Sequence, residues 1–227
     1  MAQEADARQY ELSVGADAGR HFWSAYSSLT MAPFGSVTED GFRLRTSGGY
    51  SSYTYAGQRL AGAGSQLFKF HGTASFADLL LGYHQQLGPV TLKLYGGATA
   101  TQNAIDPADP EAQVQGTDIG GKALLESWWT IGEHSWTSLD LSYASLHQDY
   151  AGRLRLGWRL LPALSLGIEA GAAGNVDGDQ GRGGGFVRYE WQDGEISASA
   201  GVMTDWAGID KLDSRGAFAT VSWLSRF

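Results

Sequence analysis

The chain has 227 residues, with 16 Lys and Arg against 24 Asp and Glu, and its charges sit at telling intervals. Arg153, Arg155 and Arg159 are separated by even steps, and Leu154, Leu156, Trp158 and Leu160 occupy the odd ones. A strand repeats every two residues, so such a segment carries its charges on one face and its apolar groups on the other. The same division sets Arg43 and Arg45 apart from Phe42 and Leu44, and Lys93 and Tyr95 apart from Leu92 and Leu94. It sets Lys122, Glu126 and Trp128 apart from Ala123, Leu125 and Trp129, and Arg188 and Glu190 apart from Val187, Tyr189 and Trp191. Glu11, Asp17, Asp78, Asp118, Asp140 and Glu169 join the polar set. If these faces enclose an interior, two chemistries follow. The ions pair across strands so that none is buried alone, or they line a polar conduit for a hydrated solute, with Arg153, Arg155 and Arg159 forming a cationic wall. Tyr95, Trp128, Trp136, Phe186 and Phe218 share the polar faces and could stack on sugar rings.

Catalytic and metal-binding patterns are weaker. Of His21, His71, His84, His134 and His147, only His71 has a suggestive neighbour, Ser75, on the same face of its segment. A Ser/His pair at the outer rim of a barrel is an arrangement for lipid hydrolysis, but no acid completes it on that face. Asn175 to Gly181 alternates oxygen-bearing side chains, yet it lacks the glycine position and terminal Glu of a calcium loop and reads as an acidic surface loop. No catalytic residue, metal or cofactor is expected.

Positioning the charged faces requires many strands. The chain holds 32 Gly, 5 Pro and no Cys, and is 43% hydrophobic, enough for one large β domain over residues 1–227. No run of about 18 apolar residues is present, which excludes a transmembrane helix. The mildly negative mean hydropathy is compatible with a membrane barrel, whose interior residues dilute each strand. A net charge of −8 argues against a nucleic-acid partner. Residues 1–8 resemble a flexible mature N-terminus after signal removal. The alternation predicts about 12 strands, each near the 9–11 residues that cross a bilayer at a tilt. Ala56 to Gln66, rich in Gly and Ser, is expected as a loop, as are Gly35 to Gly41 and Asn103 to Gln115.

A soluble barrel would place the apolar set inside, and a membrane barrel would place it outside. Two features favour the membrane. Phe42, Tyr83, Trp129, Trp158, Trp191, Trp223 and Phe227 all fall at one end of their strands on the apolar face, as a girdle at a membrane interface does. The connections at that end, around Pro89, Gly132, Pro162 and Asp193, are mostly short, as periplasmic turns are. The expected fold is therefore an all-β antiparallel transmembrane barrel with both termini periplasmic, in a bacterial outer membrane and contacting its lipid. Ser214 to Phe227 is the closing strand. It resembles the signal read by the barrel-assembly machinery, except that Ser225 stands where an aromatic is usual.

The stretches LLLGYHQQLGPVTLKLYGG, GTDIGGKALLESWW and RLRLGWRLLPALSLGIEAGAAGN, followed by GRGGGFVRYEW, resemble the BcsS cellulose-biosynthesis family of Gram-negative bacteria. The resemblance spans roughly Gly41 to Phe227. It implies an outer-membrane accessory to cellulose or exopolysaccharide synthesis or secretion, with cellulose or other parts of a secretion system as partners. It brings no catalytic residues. A general small-solute porin and an outer-membrane lipid hydrolase are the competing readings.

Overall fold

The computed structural model describes residues 8–61, 64–204 and 215–227. Of the expected flexible stretch, only Arg8 is among them, and Ser214 lies outside them. Twelve strands follow one another: β1 Tyr10–Gly19, β2 Phe22–Met31, β3 Gly41–Ala61, β4 Gly64–Leu87, β5 Val90–Asp106, β6 Gly116–Ile131, β7 Ser135–Ala144, β8 Tyr150–Leu161, β9 Leu164–Asn175, β10 Gly178–Trp191, β11 Gly194–Thr204 and β12 Arg215–Arg226. Each pairs antiparallel with its neighbours, and β1 closes on β12. A single 3-10 turn, Leu146–Gln148, is the only helical element among the described residues. Closure satisfies the backbone of both end strands, the condition for a sheet in a bilayer. At the seam, Tyr10 and Phe227 exchange backbone bonds of 2.8 and 3.0 Å, and their rings stack at 5.7 Å.

An even strand number puts both termini at one end of the barrel, the terminal end. The period-two pattern sorts the side chains as expected. On β8, Leu156 is 47% exposed on the outside, whereas Arg155 is 9% exposed on the inside. Phe42, Tyr83, Trp129, Trp158, Trp191 and Phe227 are exposed on the outer surface near the terminal end, and Trp223 is half-buried there.

Three expected loops are shorter than the composition suggests. Ala56 to Ala61 continues β3, and Gly64 to Gln66 belongs to β4, with Gly57 opposite Phe68 and Gln58 opposite Leu67. Cross-strand pairing overrides the turn-like Gly and Ser content here. β2 ends opposite Tyr53, so residues 54–61 of β3 project beyond it with β4 as a two-stranded ribbon. Asn103 to Asp106 is likewise strand, and only residues 176–177 separate β9 from β10.

Inward aromatics face inward glycines across the strand pairs: Trp136 opposite Gly157, Tyr95 opposite Gly82, Phe186 opposite Gly167, Phe218 opposite Gly201, Phe76 opposite Gly49 and Tyr26 opposite Gly15. At Gly157 and Gly82 a Cβ atom would collide with the rings of Trp136 and Tyr95. The missing side chain lets each ring lie on the opposite strand.

Leu156→Arg places a charge on the outer face and should cost about 2–4 kcal/mol if the residue meets mid-bilayer lipid. Arg155→Leu should be milder. Denaturant unfolding of the refolded barrel in lipid measures both, and the reverse order would invert the two faces.

Candidate functional site

The interior is built in tiers. Nearest the terminal end, the β2–β3 connection folds in beneath the barrel. Val37 N donates to Arg8 O at 2.8 Å, Ser36 Oγ donates to the same oxygen at 3.1 Å, and Ser36 and Val37 are buried. Arg43, 1% exposed, donates to Ser36 O at 2.9 Å and to Glu39 O, and lies 3.3 Å from His84 Nδ1. Arg43 therefore pins a plug rather than lining an open wall. Arg8 ties the N-terminal segment to the β10–β11 turn, 2.6 Å from Asp193.

Above the plug, ions from widely separated strands meet. Glu11 of β1 lies 2.9 Å from Arg226 of β12 and 3.2 Å from Lys93 of β5. Glu126 of β6 receives Arg45 of β3 at 2.5 Å and stands 3.8 Å from Lys93. Arg45 also donates to Thr30 at 2.9 Å and sits 4.4 Å from the centre of the Tyr95 ring. Alongside is an aromatic group: Trp128 stacks on Trp136 at 4.1 Å, and Trp136 contacts Phe186 at 5.4 Å. Trp136 Nε1 donates to Ser165 at 3.2 Å. Arg188 lies over both Trp rings and pairs with Glu190 at 2.9 Å and with Glu195.

Toward the far end, Lys122 pairs with Asp78 at 2.7 Å, Arg153 with Asp140 at 3.2 Å, and Arg182 with Asp17 at 3.1 Å and Glu169 at 3.8 Å. The expected cationic wall on β8 is broken up. Arg153 is neutralised, and Arg155 lies 5.5 Å from the Phe186 ring with no ion pair among the described residues. Arg159, also without an ion pair among the described residues, is at the terminal end beside His134 and Glu190. Tyr95, Trp136, Phe186 and Phe218 are 1–5% exposed. Rings facing a wide water channel would not be covered in this way.

The sequence reading missed Arg182, Phe76 and Glu195. Arg182 directly follows the stretch Asn175 to Gly181 that reads as loop, and Phe76 lies on β4, whose inward face also carries the apolar Phe70 and Leu80 and so lacks a clean alternation. It also missed Arg59, paired with Asp109 at 2.6 Å at the far mouth.

The spacing of His71 and Ser75 does not become a pair in the fold. His71 Nε2 is 3.5 Å from Ser52 Oγ on the neighbouring strand, not paired with Ser75. Asp106, opposite His71 in register, makes no ion pair with it among the described residues. The acids of the calcium-like stretch have other partners. Asp177 accepts from the backbone of Gln113 and Val114, and Asp179 from Tyr150 Oη at 2.6 Å. Among the described residues no group of acids and histidines could hold a metal.

A closed twelve-strand ring with an apolar exterior and a packed ionic interior defines an outer-membrane β-barrel. Solved structures share the fold at low identity. The KdgM porin matches at TM-score 0.51 and 10% identity, covering 96% of this chain and 99% of that one. A deletion mutant of the TodX monoaromatic hydrocarbon channel matches at 0.53 and 9%, covering 100% and 91%. The translocator domain of autotransporter NalP from Neisseria meningitidis matches at 0.51 and 13%, covering 98% and 90%. No curated protein sequence matches the chain. The sequence model described as cellulose biosynthesis protein BcsS matches residues 13–227, and the chain belongs to that family.

Two expectations follow from the site. Glu126→Ala strands Arg45, while Lys93 keeps Glu11, and should cost about 2–3 kcal/mol, the scale of hydrogen bonds to charged groups. Urea titration of the folded barrel reads the loss. At the far mouth, hydrogen bonds from Arg59 and Tyr55 hold the Asp109 carboxyl down at about 2, against its ordinary 3.8. A carboxyl lowered in the folded state stabilises fully above its ordinary value and stops doing so as pH falls through the lowered one. Amide protection in residues 107–115, taken relative to the intrinsic exchange rate at each pH, should therefore be unchanged above the ordinary 3.8 and fall progressively as pH drops toward about 2.

Proposed function

We propose that this barrel is a non-enzymatic outer-membrane accessory to cellulose or exopolysaccharide secretion, with its termini in the periplasm. It acts as a surface platform or minor pore rather than as the exporter of the polymer. Membership of the cellulose biosynthesis family carries the biological setting. The observation that carries the mechanism is the inward ionic cluster of Glu126 with its register neighbour Lys93 and with Arg45 three strands away, beside the buried Trp136 and Tyr95. A cellulose chain is neutral. Charged walls give it hydrogen-bond partners but no net attraction, and its passage would need a continuous line of accessible rings. Among the described residues the inward ring contacts fall into two separate groups, Trp128, Trp136 and Phe186 within the barrel and Tyr53, Tyr55, Phe70 and Phe68 at the far mouth. Around them, Arg45, Arg155, Lys122 and Arg182 cover Tyr95, Phe186, Phe76 and Phe218.

The girdle of Phe42, Tyr83, Trp129, Trp158, Trp191, Trp223 and Phe227 supports contact with outer-membrane lipid, and the β12 ending supports recognition by the barrel-assembly machinery. The small-solute porin is the second reading, favoured by the partly exposed Arg153, Asp140 and Lys122 toward the far end.

Deleting the gene should alter the amount or placement of cellulose at the cell surface without abolishing polymer synthesis. Unchanged cellulose rejects the role. Orientation is tested separately by single cysteines, since the chain has none of its own. Ala108→Cys should react with an impermeant reagent on intact cells, and Glu133→Cys should not. The opposite pattern reverses the barrel.

A further inference from the structure

The β5–β6 connection, residues 107–115, does not stand up from the rim. Its first half turns inward over the projecting ribbon. There Asp109, 1% exposed, accepts from Tyr55 Oη at 2.8 Å and from Arg59 Nε and Nη2 at 2.7 and 2.6 Å. Arg59 also reaches Glu111 at 3.0 Å and lies over Phe70, which is 2% exposed. The second half runs the other way. Gln113 N and Val114 N donate to the Asp177 carboxylate at 3.0–3.1 Å. Asp177 sits in the β9–β10 turn, which is itself braced by Val176 N donating to His147 O at 2.9 Å.

Ring order gives these contacts their meaning. Tyr55 and Arg59 belong to β3, and Asp177 follows β9. In a closed ring of twelve strands β3 and β9 are six places apart in either direction, and so lie on opposite sides. A segment fastened to both crosses the mouth along its width.

We propose that residues 107–115 are a strap across the mouth opposite the termini, latched by Asp109 at one side and Asp177 at the other, which restricts the entry of small solutes to the interior until a latch is released. The two latches differ in kind. Asp109 is a buried carboxylate in a charge-assisted fork, worth more than a neutral bond. Asp177 is an exposed carboxylate holding backbone amides, which water can replace. The Asp177 side is therefore where the strap opens first, and the Asp109 side is its hinge. The inference does not depend on the cellulose role: it concerns access to the interior whatever the barrel serves.

The test uses the purified full-length barrel in detergent, with Ser47→Cys as its only thiol. Ser47 faces the interior opposite Ser28 and Asp78. Labelling by a small charged methanethiosulfonate reagent should be slow in this parent. Adding Asp177→Ala should raise the rate about tenfold or more, the scale of losing charge-assisted hydrogen bonds. Asp109→Asn should raise it too. Asp179→Ala, in β10 beside the same turn but bonded to Tyr150 instead of the strap, should leave it unchanged. Each variant is compared only after its unheated form is shown to keep the compact mobility of an assembled barrel. Equal rates in the parent and both latch variants would overturn the strap, as would an equal rise with Asp179→Ala.

Discussion

A charged side chain that points into a membrane barrel has few escapes. It cannot turn outward into lipid, and in a narrow interior it meets too little water to be fully hydrated. It must find an opposite charge, an aromatic face or a backbone carbonyl. Here those partners come from distant strands: Arg45 on β3 finds Glu126 on β6, Arg182 on β10 finds Asp17 on β1, and Lys93 on β5 finds Glu11 on β1. Each such pair draws together side chains from strands three or four places apart in the ring. Satisfying the charges and filling the interior are therefore one process. The coulombic gain of a buried pair only roughly offsets its desolvation, so these pairs fix an arrangement more than they add stability.

Aromatic rings complete the filling, and the glycines make it geometrically possible. A ring resting on a strand without a Cβ presents its other face to the interior, where guanidinium groups cover it. Arg45 over Tyr95 and Arg182 over Phe218 are such layers, at 4.4 and 5.1 Å. The residues that could have stacked on sugars inside the barrel are thereby used for internal packing. That favours function at the surface over polymer transport through the interior. The plug pinned by Arg43 at the terminal end has the same effect at one mouth.

Much of this was legible in the chain because alternation is local. Leu154, Leu156, Trp158 and Leu160 declare an outer face without reference to any other segment, and the girdle follows from where such faces end. Identity of the interior charges was legible for the same reason. Their partners were not, because pairing Arg45 with Glu126 depends on ring closure and strand stagger, which no single segment encodes. The projecting ribbon was hidden by its Gly and Ser content, where hairpin pairing outweighs local preference. The plug and the Asp109 contacts were hidden because connections are placed by what they touch, and what they touch lies far away in sequence.

The filled interior is tested most directly by single-channel recording of the purified barrel in planar bilayers. Pairing of Glu126 with Arg45, three strands away, and of Lys93 with Glu11, four strands away, predicts a small ion conductance or none. A large, stable, water-filled conductance would contradict it.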